Sequence, residues 1–197
     1  MRLCIQELIL LTIILAGCGS PKEYLYTLSS STASGSTRAL PTNALASIVV
    51  GPVTLPEVVD RPQIVVRVGP NQVAIAEQHR WAASLKSEIP RVIAENLAQL
   101  LGSGLVSSYE QEVGARADIQ VLLDVKRFDA TVGEAATIES FWTIRRASGQ
   151  PTTGRSVVRE PIGGDGYDGL VAAHSRALAA LSRQIAEAIR SGNATGR

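Results

Sequence analysis

Apolar residues recur along this chain with several rhythms, and each rhythm implies a different element. Leu8 to Leu15 is a near-continuous apolar run, too short for the roughly 20 residues that span a bilayer. Tyr24-Leu25-Tyr26-Thr27-Leu28 alternates and is rich in strand-favouring types, which predicts a short β-strand. Ser47 to Thr54 predicts a second strand ending near Pro52. Gln63–Val68 and Gln72–Ala76 predict two more, joined by the turn signal Gly69-Pro70-Asn71. From Trp81 to Leu101 the spacing turns helical, with Leu85, Ile89, Val92, Ile93, Leu97 and Leu100 on one stripe. Pro90 should kink this helix or open a restarted one, and Gly102 and Gly104 should stop it.

The rhythm then returns to period two. Ile119, Val121, Leu123 and Val125 alternate with polar residues, and Ala136, Ile138, Trp142 and Ile144 repeat the pattern, so Trp142 is expected inside. Ser156 to Glu160 is short and charged, as an edge strand would be. After the loop Gly163–Gly166, Leu170 to Ile189 carries an amphipathic helix. The order strands, helix, strands, helix predicts an α+β fold: a mainly antiparallel β-sheet with two amphipathic helices packed on one face. Ser29 to Ala44, rich in Ser, Thr and Ala, reads as a loop, and Gly192 to Arg197 as a fraying tail.

Composition changes this picture in two places. The net charge of +1 over 197 residues excludes the electrostatic footprint of a nucleic-acid binder. The cysteines decide more. There are two, Cys4 and Cys18, and the second closes Leu15-Ala16-Gly17-Cys18 directly after the apolar run. That sequence resembles the bacterial lipobox, in which the Cys thiol takes a diacylglyceryl group and the chain is cut before it. Residues 1–17 are then a signal peptide, and Cys18 is the lipidation site. Buried acyl methylenes contribute about 0.8 kcal/mol each, so several chains anchor stably. Gly19 stands where Asp would signal inner-membrane retention, which directs the protein to the outer membrane, on its periplasmic face. The expected organisation is 1–17 signal peptide, 18–23 lipidated Cys and stalk, 24–191 a single α+β domain with a mobile loop at 29–45, and 192–197 a disordered tail. The stalk Gly19–Glu23 reaches at most about 17 Å.

Little else suggests chemistry. His79 and His174 are the two histidines, without the local partners of a zinc site or a Ser-His-Asp arrangement. Gly163–Val171 matches one copy of a calcium-binding nonapeptide, a chemistry that needs stacked copies; Asp168 near a helix N-terminus explains it better. Glu57 with Asp60, and Asp165 with Asp168, lie in loops where solvated charge is expected. Phosphate loops, nucleophile elbows and dinucleotide fingerprints are absent from the sequence. The chain is therefore read as a non-enzyme without cofactor or metal. A binding surface remains: Leu55–Pro62 is pinned by Pro56 and Pro62 and offers Val58, Val59, Asp60 and Arg61. These are the candidate partner-binding residues, with core packing of the two valines as the competing reading.

Several blocks together are similar to the PqiC/YmbA family, the ABC-type transport auxiliary lipoproteins. They are the lipobox; Tyr24–Leu28; Val50-Gly51-Pro52-Val53 with Leu55-Pro56-Glu57 and Asp60–Arg67; His79-Arg80-Trp81-Ala82; Arg127-Phe128-Asp129; Trp142; and the last helix around Ala177–Ala186. Val58-Val59 stands where a Tyr followed by an aliphatic residue is expected. The resemblance implies an accessory subunit working with a permease, an ATPase and a protein with MCE domains that together move lipids across the envelope. It also implies a homo-oligomeric ring among members. A stand-alone lipoprotein assisting outer-membrane assembly and a lipid-anchored hydrolase are the alternatives; a buried carboxylate with a perturbed pKa would favour the second.

Overall fold

The computed structural model describes residues 22–30, 46–109 and 117–194, without the side chains of the last two. Cys18, the signal peptide, most of the 29–45 loop and the final three residues lie outside them. Eight strands and two helices follow in the order β1 (Tyr24–Tyr26), β2 (Ile48–Thr54), β3 (Gln63–Gly69), β4 (Gln72–Trp81), α1 (Leu85–Leu101), β5 (Val106–Ser108), β6 (Ile119–Thr131), β7 (Ala135–Arg146), β8 (Thr152–Pro161) and α2 (Gly166–Ala194).

The sheet is organised around β6. On one side β7 runs antiparallel along its whole length, and β8 antiparallel beyond that. On the other side the sheet forks. β2 pairs parallel with the first half of β6, at Ile119 to Asp124, and β3 pairs parallel with its end, at Ala130 and Thr131. β5 extends the β2 branch in parallel. β4 extends the β3 branch antiparallel, and β1 adds a short parallel strand beyond it. The fold is α+β as the pattern predicts, but the sheet is mixed. Parallel pairing joins segments far apart in sequence, and apolar periodicity carries no information about it.

Both helices cover one face. α1 packs on β2 and β5, α2 on β7 and β8, and the helices pack on each other. Ile89, Val92, Ile93 and Leu97 of α1 meet Leu178, Leu181 and Ile185 of α2 and Val121, Ile138 and Ile144 of the sheet in one core. Trp142 belongs to it, with its indole N–H donating to Ser156 Oγ at 2.9 Å.

Several boundaries differ from the sequence reading, among them β8, which runs from Thr152 to Pro161 rather than only Ser156 to Glu160. β2 runs past Pro52 to Thr54, with a register shift against β6 between Val50 and Val53 that absorbs the proline. Trp81 does not open a helix: it ends β4, its N–H donating to Pro62 O, and α1 begins at Leu85 behind the N-cap Ser84. α1 is continuous through Pro90 and ends at Gly102, which has φ 64° and closes a Schellman arrangement through Ser103 N–H to Ala98 O. The last helix starts at Gly166 and reaches Ala194, past the expected fraying point. The three-residue β5 carries too short a pattern to be seen in the sequence.

Candidate functional site

The Leu55–Pro62 segment crosses from β2 to β3 at the fork of the sheet. Proline at 56 and 62 restricts the backbone at each end. Between them Pro56 O accepts from Val59 N–H at 3.1 Å and Asp60 N–H at 3.2 Å, one helical turn that is not continued. A single turn sends successive side chains in different directions, so the two valines part. Val59 is 6 % exposed and joins the core, whereas Val58 is 45 % exposed. Asp60 is tied to Lys86 in the first turn of α1, at 2.6 Å.

That ion pair spans a cleft of about 320 Å³ between the turn and the β4–α1 connection, lined by Asp60, Arg61, Pro62, Trp81, Ala82 and Ser84. The indole of Trp81 is its buried apolar component. Arg61 supplies its polarity: Nε is buried and has no hydrogen-bond partner among the described residues. A buried donor left without an acceptor costs about 1–3 kcal/mol; the guanidinium of Arg61, a lining residue of the cleft, would recover that loss by turning Nε towards an incoming acceptor. The site can therefore bind a carbonyl or carboxylate oxygen beside an apolar wall.

The other candidate residues serve the fold. His79 on β4 is sandwiched between Tyr24 and Tyr167, with centroids 5.1 and 3.7 Å away. Its Nδ1 lies 2.7 Å from Tyr26 Oη. His174 is buried, stacked on Phe128 at 4.2 Å, and burial pushes its pKa down to about 4 against a smaller opposing pull from Asp129. Asp168 lies in the first turn of α2, where the helix dipole favours it. Among the described residues two carboxylates are buried, and both are engaged by arginines at 2.8 Å: Glu88 by Arg91, and Asp129 by Arg67 and Arg127. Neither pairing leaves a carboxyl free for acid-base work. Among the described residues no three His, Cys, Asp or Glu side chains converge on a metal position, and no helix is long and apolar enough to cross a membrane.

Of the four residues expected to contact a partner, the cleft brings Asp60 and Arg61 together, leaves Val58 exposed near them and places Val59 inside. The far wall, Trp81 to Leu85, carries part of a family block in the sequence but nothing that sets it beside Asp60 and Arg61. Finding it requires knowing that β4 returns beside Pro62. Also unseen was a clamp at the end of β1: Glu88 accepts from Leu28 N–H at 3.2 Å while Arg91 donates to Leu28 O at 2.8 Å.

Comparison with known proteins bears on this geometry. The family model described as the ABC-type transport auxiliary lipoprotein component matches residues 26–186. No curated protein matches the sequence. Among solved structures, one described only as an uncharacterized protein aligns with a TM-score of 0.69 at 20% identity, over 86% of this chain and 99% of its own. A protein from Xanthomonas campestris aligns with a TM-score of 0.64 at 18% identity, over 83% of this chain and 92% of its own. At such identities these two structures attest the fold alone.

Proposed function

The chain belongs to the ABC-type transport auxiliary lipoprotein family, and we propose that it is the outer-membrane-anchored, non-catalytic accessory subunit of an MCE/ABC-type system that moves lipids across the envelope. Cys18 carries the anchor, and the cleft at the sheet fork docks the MCE-domain partner. The observation that carries the docking reading is the buried Arg61 Nε without an acceptor, in a cleft whose walls are tied together by the Asp60–Lys86 pair. A site already ordered before binding loses little entropy when occupied. Exposed Val58 beside it supplies apolar contact.

The test is capture of the MCE protein from solubilised envelopes by the native lipoprotein and by Arg61→Ala and Val58→Ser variants. Each should melt within a few degrees of the wild type, since surface changes cost about 0.5 kcal/mol or less and Arg61 satisfies no internal bond through Nε. Capture should fall roughly tenfold, about the 1.4 kcal/mol expected of one well-placed contact. Folded variants that capture normally would remove the cleft from the interface. A wild-type protein that crosslinks to no MCE protein would remove the accessory reading itself.

A further inference from the structure

The β3–β4 hairpin projects further than the chain leading to the anchor can reach. β1 runs parallel to β4 and pairs with its end alone, Tyr24 opposite His79. The residues preceding Tyr24 therefore leave in the direction of the hairpin tip. From His79 back to Gln72 at the tip is seven strand residues, about 23 Å. From Tyr24 back to Cys18 is six residues, at most about 21 Å fully stretched. A chain of that length, followed in that direction, reaches no further out than the tip.

The tip has the surface chemistry this placement calls for. Val68 is 53 % exposed, and Val73 and Ile75 are exposed beside it. Between Pro62 and Ala76 the chain has no acidic residue and a single basic one, Arg67. Its guanidinium is held by Asp129 Oδ2 at 2.8 Å and by Pro70 O. Parallel pairing of Arg67 with Thr131 sets the β6–β7 turn alongside, and there Val132 is 60 % exposed. Two neighbouring turns thus present aliphatic side chains at one end of the sheet, and the charges beside them are paired: Arg67 with Asp129, and the exposed Glu134 next to Val132 with Arg159.

We propose that these paired tips, Val68 with Val73 on one and Val132 on the other, rest in the interfacial region of the leaflet that holds the acyl chains of Cys18. The inference depends on the lipoprotein reading and adds a second, protein-borne contact with the lipid. That contact fixes how the domain stands: sheet upright, hairpins down, and the β7–β8 turn pointing into the periplasm. Apolar residues at a bilayer surface gain by entering the boundary between headgroups and acyl chains.

The test uses the full lipidated protein in vesicles of phosphatidylethanolamine and phosphatidylglycerol. Val68→Cys, Val132→Cys and Gln150→Cys are labelled singly with an environment-sensitive nitrobenzoxadiazole dye, the thiol of Cys18 being consumed by its lipid. Gln150 lies in the β7–β8 turn at the opposite end of the sheet, past the Ile119–Arg146 pairing. Flotation with the vesicles reads the anchor, and quenching by spin-labelled phospholipid reads the hairpins. Dyes at 68 and 132 should be quenched at least about twofold more than the dye at 150. Floating protein with equal quenching at all three positions would overturn the proposal. So would a blue-shifted but unquenched dye at 68, which would show a protein, a second copy included, covering the tips. Protein that fails to float would overturn the anchor and this contact together.

Discussion

His174 shows how one side chain ties stability to pH. Its ring lies flat on Phe128, inclined by 10°, and edge-on to Trp81, and Nδ1 is buried with no partner among the described residues. Burial disfavours the charged form, so the folded pKa is about 4 against the ordinary 6.5, Asp129 pulling weakly the other way. Between those values the unfolded chain binds the extra proton. Stability is therefore complete above about pH 6.5 and falls as pH drops towards 4, by roughly 3 kcal/mol in all. Urea midpoints of the wild type should decline over that window, and those of His174→Phe should stay nearly flat. A wild-type midpoint that does not move from pH 7 to pH 4.5 would contradict the assignment. The spacing of His174, four residues after Leu170 and seven before Leu181, does put it on the apolar stripe of α2. Its burial was legible there. Which rings it would meet was not, because Phe128 and Trp81 arrive from other strands.

At the scale of elements, β7 and β8 hold each other through an unequal pair. Trp142 faces Gly154 across the ladder, and a Cβ on Gly154 would come within 2.1 Å of Trp142 Cζ2. The indole occupies the space a side chain would need, and it cannot retreat without losing its bond to Ser156 Oγ. Gly154→Ala should therefore destabilise by about 1–3 kcal/mol. Trp142→Ala should cost about 3–5 kcal/mol. Chemical denaturation measures both, and an unchanged midpoint for either variant would show that the pair does not interlock. Strand identity was legible from alternation in β6 and β7, where one face is buried and the other wet. It failed at Trp81, because an indole at the end of β4 falls by chance at helical spacing from Leu85, and only the N-cap Ser84 marks where the helix starts. Partner order was hidden as well: β2 and β3 both lie parallel to β6, and a strand's own sequence does not say which neighbour it has.

For the whole molecule, the proposed function depends on the join between a lipid and a folded domain. Cys18→Ser removes the thiol proposed to carry the acyl chains. That variant should incorporate no labelled palmitate and appear as unprocessed or soluble protein, while label retained in it would end the lipoprotein proposal. The family was legible because its blocks are strung along nearly the whole chain. The cleft was not, because its walls come from segments 20 residues apart that meet where the sheet divides.

The short strand β1 also has a mechanical role. With Cys18 as the proposed anchor, a pull passed along Lys22 and Glu23 would load β1 in shear, its bonds to β4 sharing the strain. The stack of Tyr24, His79 and Tyr167 hands part of that load to α2, and the Glu88–Arg91 clamp on Leu28 hands the rest to α1. Under the proposed anchoring, such a pull would be spread over both helices before a strand could peel. A subunit fixed to one membrane and gripped by a machine rooted in another would work under this kind of strain.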